Sequence, residues 1–149
     1  MTLEGGRADV IELFGRYADI ADMKQFEELS QLVHTDPYTM DSESITGTAA
    51  PSTSLNDHAA MLSGSFSRFV ATHLPITGHV IDIAGDHATA HAHVRAEHWV
   101  LEDVAAGGPN RWLIVGFDDN EAVRTEHGRR FRKVELTAAY AKNNHLLQS

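Results

Sequence analysis

The stretch ATAHAHVRAEHWV, residues 88–100, decides the fold, because its side chains alternate in character along the chain. Successive side chains of a β-strand point to opposite faces of the sheet. One face carries small or apolar residues and a single histidine: Ala88, Ala90, Ala92, Val94, Ala96, His98 and Val100. The other face carries polar groups and Trp99. The pattern predicts a long strand that turns its first face to the interior, with His98 as the one polar group there.

Further strand patterns lie on both sides of this stretch. ITGHVIDI (76–83) precedes it, while RWLIVGFDDNEAVRT (111–125) and RRFRKVELTAAY (129–140) follow. The turns between them are GDH at 85–87 and EHG at 126–128. Consecutive strands joined by short turns predict an antiparallel meander.

Before Pro75 the apolar residues recur at steps of three and four, which is the period of an amphipathic helix. The first helix is expected over 7–21, ending near Asp22, and the second over 23–34. A third helix is expected to begin at Ser54 or Asn56 and to carry its apolar stripe as far as His73. Helices followed by strands predict an α+β fold, with the helices packed on one face of a strongly curved antiparallel sheet.

The length of 149 residues fits one domain, with a core over about 7–140. Residues 41–54 are rich in Ser, Thr, Gly and Pro and are expected to form a loop, which is suited to covering a pocket. Residues 141–149 are expected to be a poorly specified tail.

The composition argues against several classes of protein. The net charge of −9 leaves no basic surface for nucleic acid, and the absence of cysteine excludes disulfides and thiolate chemistry. No stretch has the pattern of a secretion signal or the apolar length of a membrane span, so a cytoplasmic protein without membrane contact is expected.

Three polar residues are expected to meet between the helices and the sheet. They are Asp22 at the border of the first helix's inward face, His73 at the end of the third helix's stripe, and His98. A carboxylate that is hydrogen-bonded to an imidazole fixes its tautomer and raises its basicity. The set is therefore a candidate acid–base group.

Each residue also has a structural alternative. Asp22 could cap the second helix together with Gln25, His98 could be a hydrogen-bonded core histidine, and His73 could be a cation at a helix C-terminus. A metal site at His91 and His93 lacks any recognised ligand spacing, so no metal is expected. Trp99, with Trp112 on the next strand, favours a subunit interface on the outer face of the sheet.

Three segments together resemble the SnoaL-like group of the nuclear-transport-factor-like superfamily, in the branch of scytalone dehydratase and bacterial bile-acid dehydratase. They are RYADIADMKQFEELSQLVHTDP (16–37), THLPITGHVIDIAGDHATAHAHV (72–94) and FDDNEAVRTEHGRRFRKVEL (117–136). The resemblance implies an open cone that admits a hydrophobic small molecule, and a homodimer or homotrimer that assembles through the outer sheet face.

The same resemblance implies roles for particular residues. Asp22, His73 and His98 match the carboxylate and the two histidines of scytalone dehydratase, and Tyr17 matches a contributing tyrosine of the bile-acid enzyme. The tyrosine that precedes the carboxylate in scytalone dehydratase is Ala21 here, and a second one, expected near Asp41, has no clear equivalent. These departures leave the substrate open.

The sequence thus predicts a lyase without a cofactor, which dehydrates a hydrophobic cyclic or polyketide-like molecule. His73, oriented by Asp22, would act as base and then as acid, while His98 and Tyr17 would polarise a carbonyl oxygen. Isomerisation or cyclisation would use the same groups. A noncatalytic carrier of small molecules is the alternative from another class.

Overall fold

The computed structural model describes residues 3–47 and 52–144. The helices of this part are α1 (Leu3–Asp22), α2 (Phe26–Val33), α3 (Glu43–Thr46) and α4 (Leu55–Phe66). Its strands are β1 (His34–Asp41), β2 (Ser52–Thr53), β3 (Ala71–His73), β4 (Ile76–Ala84), β5 (His87–Trp99), β6 (Arg111–Thr125) and β7 (Gly128–Asn143). The predicted α+β class is confirmed, since the helices pack over one face of a curved, open sheet.

The two predicted N-terminal helices are also confirmed, and they form a helical hairpin. Helix α1 buries Val10, Leu13, Phe14 and Ile20, which lie at helical spacing. The chain turns at Lys24, whose φ of 55° is left-handed and ends the helical run before α2 begins at Phe26.

The sheet is mixed, so the prediction of a wholly antiparallel sheet is wrong at one edge. Strands β5, β6 and β7 form the predicted antiparallel meander, and β3 and β4 both pair with β5. The sequence analysis missed β1, which pairs in parallel with β7. The register of this pair shifts between His34 and Thr39, and Pro37 lies within that interval. Because proline lacks an N–H donor, it interrupts a ladder of hydrogen bonds, and its presence obscured the strand in the sequence.

Two further boundaries differ from the predictions. Residues 41–54 are not simply a loop, because they contain the end of β1, the short helix α3 and strand β2, while residues 48–51 lie outside the described ranges. The predicted tail begins too early. Strand β7 continues to Asn143, and the side chain of Asn144 is buried and donates to the carbonyl oxygens of Ala105 and Pro109. Residues 145–149 lie outside the described part of the chain.

The third predicted helix is too long at its C-terminus. Helix α4 ends at Phe66, and His73 lies on strand β3 rather than on the helix. Residues 71–73 pair with 97–99 of β5, so tertiary hydrogen bonds override the apolar period that continued to His73. His73 is therefore not a helix C-terminal cation.

The predicted faces of β5 are confirmed residue by residue. All seven inward positions from Ala88 to Val100 are buried. Trp99 is outward and 47% exposed, whereas Trp112 is inward and buried, so the two tryptophans do not share the outer face. Association of subunits through that face stays a prediction. Within the described residues, no helix is long and apolar enough to cross a bilayer.

Gly116 gives a test of the β6–β7 pairing. A Cβ atom at this position would lie 1.9 Å from the carbonyl oxygen of Thr137, a backbone atom beside the irregularity between Val115 and Gly116. We expect Gly116→Ala to lower the free energy of unfolding by at least about 3 kcal/mol, because the strands must separate to relieve the overlap.

Gly15 is the matched control, since it is exposed on α1 and a Cβ there meets nothing within 4 Å. Gly15→Ala should raise the free energy of unfolding by about 0.5–1 kcal/mol through helix propensity. Urea denaturation of both variants provides the measurement. Equal effects would contradict the close approach at Gly116.

Candidate active site

A cavity of about 260 Å³ lies between the helices and the inward face of the sheet. Its walls are mostly apolar, with Ile20, Leu62, Phe66, Phe69, Trp112 and Ile114 among the residues that line it. All four residues predicted from the sequence, Tyr17, Asp22, His73 and His98, also line this cavity. The structure therefore brings them to one space from α1, β3 and β5.

Two hydrogen bonds hold the Asp22 carboxylate. The hydroxyl of Thr72 donates to Oδ1 at 2.8 Å, and the backbone N–H of Leu74 donates to Oδ2 at 2.9 Å. The residue that precedes α2 is Gln25, and that end of the helix has no side-chain cap. Asp22 is thus not a helix cap, and its carboxylate is turned toward β3.

His73 lies beside Asp22 but does not form the expected direct hydrogen bond. Its Nδ1 is 3.9 Å from Asp22 Oδ2, which is longer than a hydrogen bond and within the range of an ion pair. The His73 side chain is 76% exposed, whereas that of Asp22 is 19% exposed. The pair thus joins a largely buried carboxylate to an imidazole that is open to solvent.

His98 is buried among aromatic rings. Its ring centroid lies 4.5 Å from that of Trp112, 4.9 Å from Phe69 and 6.1 Å from Phe66. Nδ1 is 3.1 Å from the carbonyl oxygen of Trp112. Because a carbonyl oxygen only accepts, Nδ1 carries the proton, and Nε2 of the neutral ring is an acceptor.

Burial lowers the pKa of His98 from its ordinary value, and the charge of Arg68 adds to this effect. The Trp112 carbonyl and the Asp22 carboxylate act in the opposite direction. The ring is therefore neutral near pH 7 and accepts rather than donates at Nε2. This disfavours the predicted role of His98 in polarising a carbonyl oxygen, which needs a donor.

Tyr17 supplies a hydroxyl that stays protonated. Its pKa is raised, first by burial and then by the nearby Asp118 and Tyr38. A phenol with a raised pKa remains a hydrogen-bond donor at all ordinary pH values. Tyr17 is therefore able to donate a hydrogen bond, as its predicted role requires.

A second polar group, which the sequence analysis missed, lies behind Tyr17. The rings of His34 and Tyr38 stack with centroids 4.0 Å apart, and His58 contacts Tyr38 edge-on at 4.7 Å. Burial lowers the pKa of His34 to about 3 and that of His58 to about 4, and the charge of His58 lowers the pKa of His34 further. Both rings are neutral near pH 7. His58 also lines the cavity.

Asp118 and Asn120 complete this group from strand β6. Both are fully buried, at 0% and 2% exposure. Burial raises the pKa of Asp118 from 3.8 to about 7; the charge of Asp119 also raises it, and Asn120 partly opposes the shift. The signal was present in the sequence, because both residues share the inward face of β6 with Trp112, Ile114 and Ala122. The alternation argument that found His98 applies to them equally.

Arg68 is a further cavity residue that the sequence analysis missed. Its guanidinium carbon lies 5.0 Å from the centroid of the Phe69 ring, a cation–π contact. The charge disfavours protonation of His98, and it favours negative charge that develops on a ligand in the same cavity.

Comparison with known proteins places the chain in a family. A model of the SnoaL-like domain matches residues 6–135. No curated protein sequence matches the chain. Among solved structures, the protein Kfla4162 from Kribbella flavida is 57% identical, with 99% of each chain covered and a TM-score of 0.95.

More distant structures share the fold. A provisionally named aromatic ring hydroxylase from Novosphingobium aromaticivorans is 17% identical over 100% of this chain and 99% of that one, with a TM-score of 0.83. A provisionally named scytalone dehydratase from the same organism is 16% identical over 92% of this chain and 86% of that one, with a TM-score of 0.77. The two names describe different reactions, so the function must be argued from the site.

The shifted pKa of Asp118 predicts a pH-dependent contribution to stability. The folded protein binds this proton more tightly than the unfolded chain, since the pKa rises from 3.8 to about 7 on folding. The stabilisation is fully present below pH 3.8 and is lost as the pH rises through 7. Asp118→Asn removes it. We expect the free energy of unfolding of the wild type, relative to this variant, to fall by at most about 4 kcal/mol between pH 4 and pH 8.

Urea denaturation of both proteins at several pH values provides the measurement. His34 and His58 also affect stability as the pH falls below 6.5, but they are present in both proteins and cancel in the difference. Asp82→Asn is the control, because Asp82 is an exposed carboxylate on β4. If the difference in free energy of unfolding between the wild type and Asp118→Asn did not change with pH, the raised pKa of Asp118 would be contradicted.

Proposed function

The chain belongs to the SnoaL-like domain family, and on that premise we propose that it is a lyase that dehydrates hydrophobic cyclic molecules by general acid–base chemistry without a cofactor. The observation that carries the proposal is the meeting of Asp22, His73 and His98 around one apolar cavity. An apolar cavity with a few converging polar groups is typical of a small-molecule site. The provisional name of the scytalone dehydratase neighbour agrees with this class of reaction.

The proposed reaction is the β-elimination of water from a hydroxy ketone. His73 takes a proton from the carbon next to the carbonyl group, and Asp22, 3.9 Å away, stabilises the imidazolium that forms. The electrons of the broken C–H bond form the C=C bond as the C–O bond breaks. The proton on His73 then passes to the departing hydroxide, which leaves as water and returns the enzyme to its starting state.

The remaining polar groups act on the oxygen atoms. Tyr17 donates to the carbonyl oxygen, and the charge of Arg68 stabilises the enolate that develops there. His98, with its proton held by the Trp112 carbonyl, accepts a hydrogen bond from the substrate hydroxyl at Nε2 and orients the leaving group. This role replaces the carbonyl contact that the sequence suggested.

Isomerisation or cyclisation in the same cavity is the second candidate, because it begins with the same proton abstraction. Only a leaving group β to the abstracted proton separates elimination from these outcomes. A noncatalytic carrier is the third, and it differs in that no C–H bond of the ligand is broken.

Deuterium exchange tests the proton abstraction independently of the leaving group. We expect the protein in D₂O to catalyse incorporation of deuterium next to the carbonyl of 1-tetralone, measured by NMR, and to convert 3-hydroxy-1-tetralone to 1-naphthol. Exchange without elimination would favour an isomerase or cyclase. Binding of both ketones with neither exchange nor elimination would favour the carrier and overturn the proposal.

Asp22→Asn tests the role of the carboxylate. An asparagine can still accept from the Leu74 N–H and can donate to the Thr72 hydroxyl, so the contacts of the wild type are retained while the charge is lost. We expect the exchange rate to fall by about 10²-fold or more, the range of general acid–base catalysis, with the melting temperature little changed.

His73→Gln should have a similar effect on the exchange rate. His87→Gln is its control, because His87 is exposed at the start of β5 and does not line the cavity. A full exchange rate in both Asp22→Asn and His73→Gln would contradict the assigned base.

A further inference from the structure

Arg68 brings a positive charge to the wall of a cavity whose lining is mostly apolar. Among the described residues that line the cavity, it is the only lysine or arginine, and it is half-buried. A guanidinium stays charged at all ordinary pH values, and removing water from it without a replacement costs free energy. A ligand that fills this cavity at low cost therefore carries an acceptor next to Arg68.

The position of this charge is fixed by the chain around it. The carbonyl oxygen of Phe69 accepts a hydrogen bond from the Lys24 ammonium at 2.7 Å. The N–H of Val70 donates to the carbonyl oxygen of Trp99 at 2.8 Å. The guanidinium carbon lies 5.0 Å from the centroid of the Phe69 ring, which is buried. A ligand thus meets a charge that is placed before binding, which lowers the cost of forming the contact.

Arg68 lies one aromatic ring away from His98. The Phe69 ring contacts the Arg68 guanidinium on the one hand and the His98 ring on the other, with the two ring centroids 4.9 Å apart. This separation is short enough for the charge of Arg68 to lower the pKa of His98. A ligand group held by Arg68 would therefore lie one ring away from the groups that react.

Two carboxylates also line the cavity, and each is held by other residues. Oε1 of Glu97 accepts from Nε and Nη2 of Arg95 at 3.3 and 3.0 Å, so its charge is compensated. The carboxylate of Asp22 is turned toward β3 and lies next to His73. The cavity is thus polarised, with its positive charge at Arg68 and its negative charge at Asp22.

The shape and charge of the guanidinium select the group that it binds. It presents pairs of N–H donors that match the two oxygens of a carboxylate. It has five N–H donors, so this contact leaves others for oxygen atoms at the reacting end. A phosphate carries more charge than one cation compensates in a mostly apolar cavity, and an ammonium group has no acceptor and is repelled.

We propose that Arg68 binds a carboxylate that the substrate carries one ring away from its reacting carbon. The substrate class is then cyclic or aromatic-ring ketones with a carboxylate. The inference rests on the proposed function only for the identity of the reacting end.

Binding of two probes of the same size tests the carboxylate site. They are 1-tetralone-6-carboxylate and 1-tetralone-6-carboxamide, which differ in charge, and calorimetry near pH 7 measures both dissociation constants. We expect the wild type to bind the carboxylate about tenfold more tightly, the effect of one charge-assisted contact that is partly open to solvent. Equal binding, or tighter binding of the carboxamide, would overturn the proposal.

Variants locate the preference. Arg68→Gln removes the charge and should reduce the preference to about twofold or less, while continued binding of the carboxamide shows that the cavity is intact. Arg132→Gln is the matched control, because it removes the same charge from an exposed arginine that pairs with Glu121 and does not line the cavity. It should keep the full preference. A full preference in Arg68→Gln would place the carboxylate elsewhere and overturn the proposal.

Arg68→Lys separates the guanidinium from its charge. Lysine keeps the positive charge but lacks the planar pair of donors, so we expect a reduced preference of about threefold. This variant decides the matter if Arg68→Gln does not fold. A preference as large as that of the wild type would contradict recognition by the guanidinium.

The pKa of His98 reports where the carboxylate lies. Because the charge of Arg68 lowers this pKa, a carboxylate that compensates the charge should raise it. NMR titration of the His98 ring in the two complexes should give the higher pKa with the carboxylate probe. The same pKa in both complexes would place the carboxylate away from Arg68.

Two further measurements keep this proposal separate from the reaction. Asp22→Asn should retain at least the full preference even where deuterium exchange is lost, since it removes a negative charge from the same cavity. A wild type that shows the preference but no exchange would support the carboxylate site and contradict the lyase, whereas exchange without the preference would do the reverse. Tighter binding of 6-aminomethyl-1-tetralone than of the carboxylate probe would overturn the assignment to an anion.

Discussion

The two hydrogen bonds that the Asp22 carboxylate accepts connect the end of α1 to the segment from Thr72 to Leu74, and the outer part of the site depends on them. A second connection runs in parallel, from the Lys24 ammonium to the carbonyl oxygen of Phe69 at 2.7 Å. Together they fix the chain between α4 and β4 against the helical hairpin. His73 is placed next to Asp22 by this backbone, not by a hydrogen bond of its own side chain.

The interior is less favourable for stability than an apolar one would be. Asp118, Asn120 and the neutral histidines 34 and 58 occupy positions where leucine or phenylalanine would fill the space without an unsatisfied polar atom. Replacing buried polar groups with apolar residues of similar size is often neutral or stabilising in other proteins. Retention of such groups is typical of sites where binding or chemistry has been favoured over stability.

The sequence was most informative where one strong pattern stood alone. Alternation along β5 predicted every inward side chain, including His98. In a long strand with one buried face, a shift of one residue would turn the whole apolar set to the solvent, so only one orientation fits the sequence. The apolar stripe of α4 failed as a guide beyond Phe66, since Phe69 keeps the helical spacing although the helix has ended and the backbone pairs with β5 from Ala71 onward. Strand β1 was hidden because its hydrogen bonds go to β7, about a hundred residues away, and Pro37 suggested a break.

The candidate site was predicted in part for a similar reason. Residues that stood out singly, Asp22 and His98, were found, whereas His58 and Tyr38 meet only through tertiary packing that no local pattern encodes. Asp118 and Asn120 were within reach of the alternation argument, but that argument was applied only to residues 88–100. The tautomer of His98 determines whether its free nitrogen donates or accepts. This tautomer is set by the backbone carbonyl of Trp112 on the neighbouring strand, so the residues next to His98 in the sequence do not predict it.

The parallel pairing of β1 with β7 also bears on how the chain folds during synthesis. His34 pairs with Phe131 and Asp41 with Glu135, so this edge of the sheet cannot form until nearly the whole domain has left the ribosome. The helical hairpin, by contrast, is made of local contacts and is available early. Until β7 arrives, the only strand that pairs with β1 among the described residues is the two-residue β2. A nascent chain that pauses before residue 128 would therefore expose an incomplete sheet edge, the kind of surface that chaperones protect.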